Sequence, residues 1–201
     1  MIRSISALLI AAVSAVAIAQ APANPPVRIR GTVEKIDGTN LTIKANSGQS
    51  MNVKLADNYV VMGVAKAGLA DLSSGKFIGT TTVGERNGAL VALEVHIFPE
   101  NMRGTGEGHY DWDLRPDSKM TNANVANVTS MGKDRVLTVQ YKGGEKKVLV
   151  PENAAIVAFT PTERSELKPG AKVFVNSQRQ PDGALSAARV NVGLKGQVPP
   201  M

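Results

Sequence analysis

Between residues 96 and 125 the chain gathers both of its histidines, its single tryptophan and five carboxylates: His96, Glu100, Glu107, His109, Asp111, Trp112, Asp113 and Asp117. His109, Asp111 and Asp113 alternate, which on an extended segment places the three side chains on one face. Imidazole with carboxylates suits zinc, copper(II), nickel or manganese. Glu107 and His96 complete the candidate set for a divalent transition metal. The same alternation equally suits the solvent face of an extended crossover, with Trp112 and Leu114 buried at a junction and the indole N–H paired. His96, flanked by Val95 and Ile97, also reads as an outward polar position at the end of a strand.

Other chemistry is excluded or left without support. The absence of cysteine removes disulfides, thiolate metal sites and cysteine nucleophiles. No G-x-S-x-G elbow is present, and Arg103-Gly104-Thr105-Gly106-Glu107-Gly108 lacks the spacing and the lysine of a phosphate-binding loop, so it reads as a turn. No catalytic residue is therefore assigned, and no cofactor beyond the candidate metal. The formal net charge is +6, with residues 27–99 carrying +2, residues 100–124 carrying −2 and residues 125–201 carrying +5. Lys142, Lys146, Lys147, Lys168, Lys172 and Arg179 are candidates for a patch that meets an anionic ligand. A single-strand nucleic-acid surface needs aromatic platforms as well. Only Tyr141 and Phe174 lie near these cations, and Phe174 reads as core, which argues against nucleic acid.

The elements that must hold these residues are strands. Apolar and polar residues alternate over 27–36, Asp37-Gly38 and Ser47-Gly48 supply turns, and further strands are predicted at 41–43, 51–55, 59–64, 77–83 and 90–98, with a helical turn at 69–72. The order then recurs at 126–130, 136–141, 146–150, 156–159, 163–167, 173–177 and 185–192. GALVALEVHI at 88–97 returns as GALSAARVNV at 183–192, and LADLSSGKFI at 69–78 as SELKPGAKVF at 165–174. A β-rich unit of about 70 residues thus reads as duplicated. The fold class expected is all-β: two tandem small OB-like β-barrels, at 27–99 and 125–193, joined by an irregular crossover at 100–124 and followed by a tail at 194–201. A β-sandwich is the second choice. Leu41, Leu72, Ile78 and Leu90, with their counterparts Leu137, Leu167, Val173 and Leu185, are predicted to be core. Gly75 and Gly170 are predicted at tight corners before strands.

At the start, Arg3 precedes an apolar run that ends in Ala17-Ile18-Ala19, the pattern of a signal peptide over 1–19, followed by a Pro-rich lead-in over 20–26. At roughly fourteen residues the run is short of the ~20 needed to span a bilayer. A soluble protein of the bacterial periplasm, or a secreted one, is expected.

The paired units resemble a family of bacterial exported proteins. Asp71-Leu72-Ser73-Ser74-Gly75 and Glu166-Leu167-Lys168-Pro169-Gly170 lead into the fifth strand of each unit, and a Gly-Ala-Leu turn leads into the sixth. The family is known as a domain of unknown function with OB-like β-barrel repeats, and some relatives are labelled as metal-transport components. The resemblance implies fold and compartment and assigns no catalytic residue. The function expected is a non-catalytic binding or structural module of the bacterial envelope, with an unidentified envelope partner or anionic ligand. A periplasmic metal-handling protein using the segment between the units is the alternative.

Overall fold

Strand β1 (Val27–Asp37) buries Ile29, Gly31 and Val33 while the residues between them stay partly open, as period-two alternation requires. β2 (Asn40–Ala45) returns beside it and β3 (Ser50–Lys66) completes an antiparallel meander. The fourth strand expected at 59–64 is not separate; it is the far half of β3. There the alternation gives way to continuous burial from Val61 to Val64, because both faces of the strand are covered. β4 (Phe77–Arg86) and β5 (Ala89–Ile97) form a hairpin, and β6 (Gly108–Asp111) is a short strand. β7 (Lys119–Met131), β8 (Asp134–Tyr141) and β9 (Gly144–Val150) make a second meander. β10 (Ala155–Pro161) follows, and the hairpin of β11 (Lys172–Arg179) and β12 (Leu185–Gly193) closes the strand order. These assignments come from a computed structural model that describes residues 25–201. The expected signal peptide and most of the lead-in lie outside the described residues. Among the described residues no helix is long and apolar enough to cross a membrane.

The chain is all-β, with a closed five-stranded barrel, but the strands do not close within the boundaries expected from sequence. β1 pairs with β2 and β11, β2 with β3, β3 with β12, and β12 with β11, so the ring joins residues 27–66 to residues 172–193. The hairpin β4–β5 leaves this barrel and pairs instead with the second meander. β4 lies against β7, and β5 meets β9 at Leu90–Val148 and Val91–Leu149. β10 stitches the two sets together, antiparallel to β3 and parallel to β5. Neither 27–99 nor 125–193 is thus a self-contained unit. The segment 100–124 is not wholly irregular either, since β6 and the first residues of β7 are paired in the sheet.

Pairing registers repeat between the sets. Val64 lies opposite Phe159, and Met62–Pro161 on one side of that pair mirrors Lys66–Val157 on the other. Val95 beside Ile156 has the same relation as Val190 beside Val61. A register shift follows Val33 on β1 and Val125 on β7. The Gly170 amide donates to the Val33 carbonyl at 2.9 Å, and the Gly75 amide to the Val125 carbonyl at 2.8 Å. Gly75 and Gly170 sit at φ +86° and +87°, a region that favours glycine, and so make the expected corners.

Apolar side chains divide three ways. One cluster fills the closed barrel around Leu41, Val53, Leu167 and Val190, and a second fills the other set around Ile78, Val95, Leu137 and Val148. The third, with Met62, Val64, Phe77, Phe98, Phe159 and Phe174, lies between them on the symmetric β3–β10 pair. Seven of the eight core positions predicted from the repeat are buried; Leu90 is half-buried.

Candidate functional site: a polar notch in an aromatic cavity

On β4, Gly79 sits between His96 of β5 and Asn122 of β7 in the same cross-strand row. A β-carbon at Gly79 would lie 2.0 Å from His96 Nε2 and 2.4 Å from Asn122 Oδ1. The missing side chain is what lets the two neighbours lean together. His96 is only 4% exposed and Asn122 6%.

Behind the imidazole stands Glu94, two residues back on the same face of β5 and fully buried. Its Oε1 accepts hydrogen bonds from the Thr81 amide (2.9 Å) and the Thr81 hydroxyl (2.6 Å), and its Oε2 lies 3.0 Å from His96 Nδ1. A carboxylate already accepting twice is an acceptor toward the imidazole too, which places the ring proton on Nδ1 and leaves Nε2 facing the cavity. Asn122 is oriented as firmly. Its amide nitrogen donates to the Thr105 carbonyl (3.1 Å) and to Tyr110 Oη (3.2 Å), so its oxygen turns toward His96. Two acceptors therefore converge over Gly79.

The notch opens into a cavity of about 770 Å³. Phe98, Phe159 and Phe174 supply its aromatic wall, with the His96 ring 5.0 Å from that of Phe98 and 5.3 Å from that of Phe159. Arg189, Asn191 and Asn176 face it from the closed barrel, and Trp112 and Arg28 also line it. The Arg28 guanidinium lies 3.9 Å from the centre of the Trp112 ring. Asp113 pairs with Arg30 at 2.7 Å and with Arg28 at 3.6 Å. Burial works against the Asp113 charge, but the Arg30 hydrogen bond and the two guanidinium charges hold its carboxyl below the ordinary carboxylate value. Burial pushes the Tyr110 phenol up, opposed by Arg28.

Four buried side-chain polar atoms lack a hydrogen-bond partner among the described residues: Arg28 Nε, Trp112 Nε1, Asn122 Oδ1 and Arg189 Nε. All four residues line this cavity.

The expected metal set is dispersed. Glu107 accepts from the Lys142 amide, His109 Nδ1 lies 2.8 Å from Thr121 Oγ1, Asp111 pairs with Lys119, Asp113 with the two arginines, and His96 with Glu94. Among the described residues no group of three or more such side chains gathers around a point. His96 faces inward, because β5 is covered on that side by the aromatic cluster, and this overturns its reading as an outward wall position. Trp112 departs from the wedge expectation as well: it and Leu114 are half-buried, and the indole N–H has no acceptor. The six candidate cations of the anionic patch divide between the two sets, Lys142, Lys146 and Lys147 on one and Lys168, Lys172 and Arg179 on the other.

Comparison with protein-family models, with curated proteins and with solved structures returns no match.

Proposed function

We propose that this chain is an exported, non-catalytic binding module of the bacterial envelope that holds a small organic ligand in the cavity between its two strand sets. The observation that carries this reading is that all four unpartnered buried polar atoms among the described residues belong to side chains lining one cavity. Each such atom costs about 1–3 kcal/mol when left dry, and a ligand that meets them recovers that loss. The aromatic wall supplies an apolar seat, and a few oriented polar groups supply selectivity, the usual division of labour in a ligand pocket. Metal handling would require His109, Asp111 and Asp113 to leave the partners they now hold. Export rests on Arg3, the apolar run and Ala17-Ile18-Ala19.

The register correspondences support a further element of the reading: the second strand set is a second barrel, a copy of the first, and the two have exchanged their C-terminal hairpins. The ligand site then lies on the axis of the duplication, where both copies contribute walls.

The test is calorimetric titration with 2-naphthol, an apolar bicycle with one hydroxyl. Saturable binding is expected, and it should be lost in Ala188→Trp, which plugs the cavity from an exposed position on its wall. Absence of binding by 2-naphthol and by 6-hydroxy-2-naphthoate alike, or binding unchanged in Ala188→Trp, overturns the proposal. For export, mass spectrometry of protein from the native envelope should find a chain beginning near Gln20, and an intact Met1 would refute it.

A further inference from the structure

We infer that the cavity's ligand is an aromatic or similarly flat carboxylate that also carries a hydroxyl: its acid group meets Arg189, Arg28 and Trp112, and its hydroxyl enters the notch over Gly79. This rests on the cavity being a binding site and goes on to state what it selects.

The polar atoms left without partners are not a random mixture. Three are donors, the Nε–H groups of Arg28 and Arg189 and the Nε1–H of Trp112, and two of these belong to cations. The salt bridges among the described residues include none to Arg189, and the Arg28 charge is shared with Asp113 at 3.6 Å. Together these groups ask for an anionic acceptor, and a guanidinium meets a planar carboxylate well. The fourth atom, Asn122 Oδ1, is an acceptor and stands beside a second one, His96 Nε2. Neither can satisfy the other while both lack a proton. A hydroxyl hydrogen is the smallest group that answers them, and it must reach them from the cavity side, because the place of a β-carbon at Gly79 is already closed by His96 Nε2 at 2.0 Å and Asn122 Oδ1 at 2.4 Å. Glu94 fixes the orientation of the imidazole through Nδ1 and so directs Nε2 at the cavity. Between the two polar regions the walls are Phe98, Phe159 and Phe174, which suit a flat apolar body.

The geometry also assigns selectivity. A site whose buried polar groups are built for a hydroxyl rejects the analogue that lacks it, because those groups are then dry and unpaired.

The experiment is calorimetric titration of the intact protein with four probes: 6-hydroxy-2-naphthoate, 2-naphthoate, 2-naphthol and 2-naphthylmethylammonium. The hydroxy acid should bind most tightly, about tenfold more so than 2-naphthoate through the notch hydrogen bond and about a hundredfold more so than 2-naphthol through the guanidinium–carboxylate contact. The ammonium probe should bind weakest. Arg189→Gln should bring the hydroxy acid toward 2-naphthol, and Gly79→Ala should bring it to the level of 2-naphthoate. Should Gly79→Ala fail to fold, His96→Asn tests the same notch, since the equivalent register position on β12 already carries Asn191. Equal affinity across the probes, or preference for the ammonium, overturns this inference while leaving the cavity a binding site. Failure of every probe, 2-naphthol included, overturns both.

Discussion

Two cross-strand rows occupy the same register in the two strand sets and carry opposite chemistry. In one, Gly79 on β4 lies between His96 and Asn122; in the other, Phe174 on β11 lies between Asn191 and Arg30. One row removes a side chain and lets two polar groups converge. The other fills the same place with a phenyl ring that is 6% exposed and has the Arg30 guanidinium 5.3 Å from its centre. Two residues earlier on the outer strand, Glu94 is buried with three hydrogen-bonding contacts, whereas Arg189 keeps an unpartnered Nε. The matching registers thus carry accepting groups on one side and cationic, donating groups on the other. Symmetry of pairing supplies position, and asymmetry of side chains supplies recognition.

The largest test breaks the backbone half of this comparison. If β4–β5 and β11–β12 are exchanged between the meanders, residues 25–100 and 118–201 expressed separately should each lack the strands that close their sheets and remain unfolded by circular dichroism. Mixed at equal concentration they should recover strand signal. A first half that folds alone would show that the hairpins need not be exchanged.

Next in size is the side-chain half. Glu94→Ala leaves the Thr81 amide and hydroxyl and His96 Nδ1 without their acceptor in a buried place, and a loss of about 3–5 kcal/mol is expected on denaturant unfolding. Arg189→Ala, its register equivalent, removes an already unpartnered group and should cost under about 1 kcal/mol. Similar losses for the two would remove the contrast between a structural anion and a ligand-facing cation. The same comparison at an apolar position is gentler. Leu185 is buried and Leu90 half-buried, so Leu185→Ala should cost about 2–4 kcal/mol and Leu90→Ala roughly half of that. Equal costs would mean that the two-residue contact of β5 with β9 closes as tightly as β12 with β3.

Strands, turns and most core positions were legible because they rest on local alternation and glycine placement. Leu41 and Leu137, or Gly75 and Gly170, announce their environment within a few residues. Which strands pair was not legible, because a hairpin added to its own meander and one added to the neighbouring meander bury the same faces. The site was only half visible for the same reason. His96 stood out as a histidine in an apolar strand, yet its partners are Gly79 and Asn122, seventeen and twenty-six residues away and joined to it only by register. The segment rich in histidine and carboxylates drew attention by composition, but Glu107, Asp111 and Asp113 each took a separate basic or backbone partner instead of gathering around one point. Glu94 carried the missed signal: a carboxylate two residues before a histidine, in a strand whose other members are apolar.

The smallest expected effect concerns β6, the strand with no equal in the other set. His109 is half-buried there, against Tyr141 at 6.3 Å between ring centres. Burial, followed by the charges of Lys146 and Lys119, lowers its pKa from the ordinary 6.5, with Asp111 opposing. The fold therefore prefers the neutral ring. Above about pH 6.5 neither the folded nor the unfolded state binds this proton, and the stability contribution is whole. As the pH falls from there through the lower folded-state value, the unfolded chain takes the proton first and stability declines. NMR titration of the His109 ring should give a midpoint below 6.5, and His109→Gln should flatten the fall of melting temperature below pH 6.5. A midpoint at or above 6.5 would mean that Asp111 outweighs burial and the lysines. That result would leave β6 as an acidic edge able to attract a cation, and the contrast with the dispersed metal set would have to be redrawn.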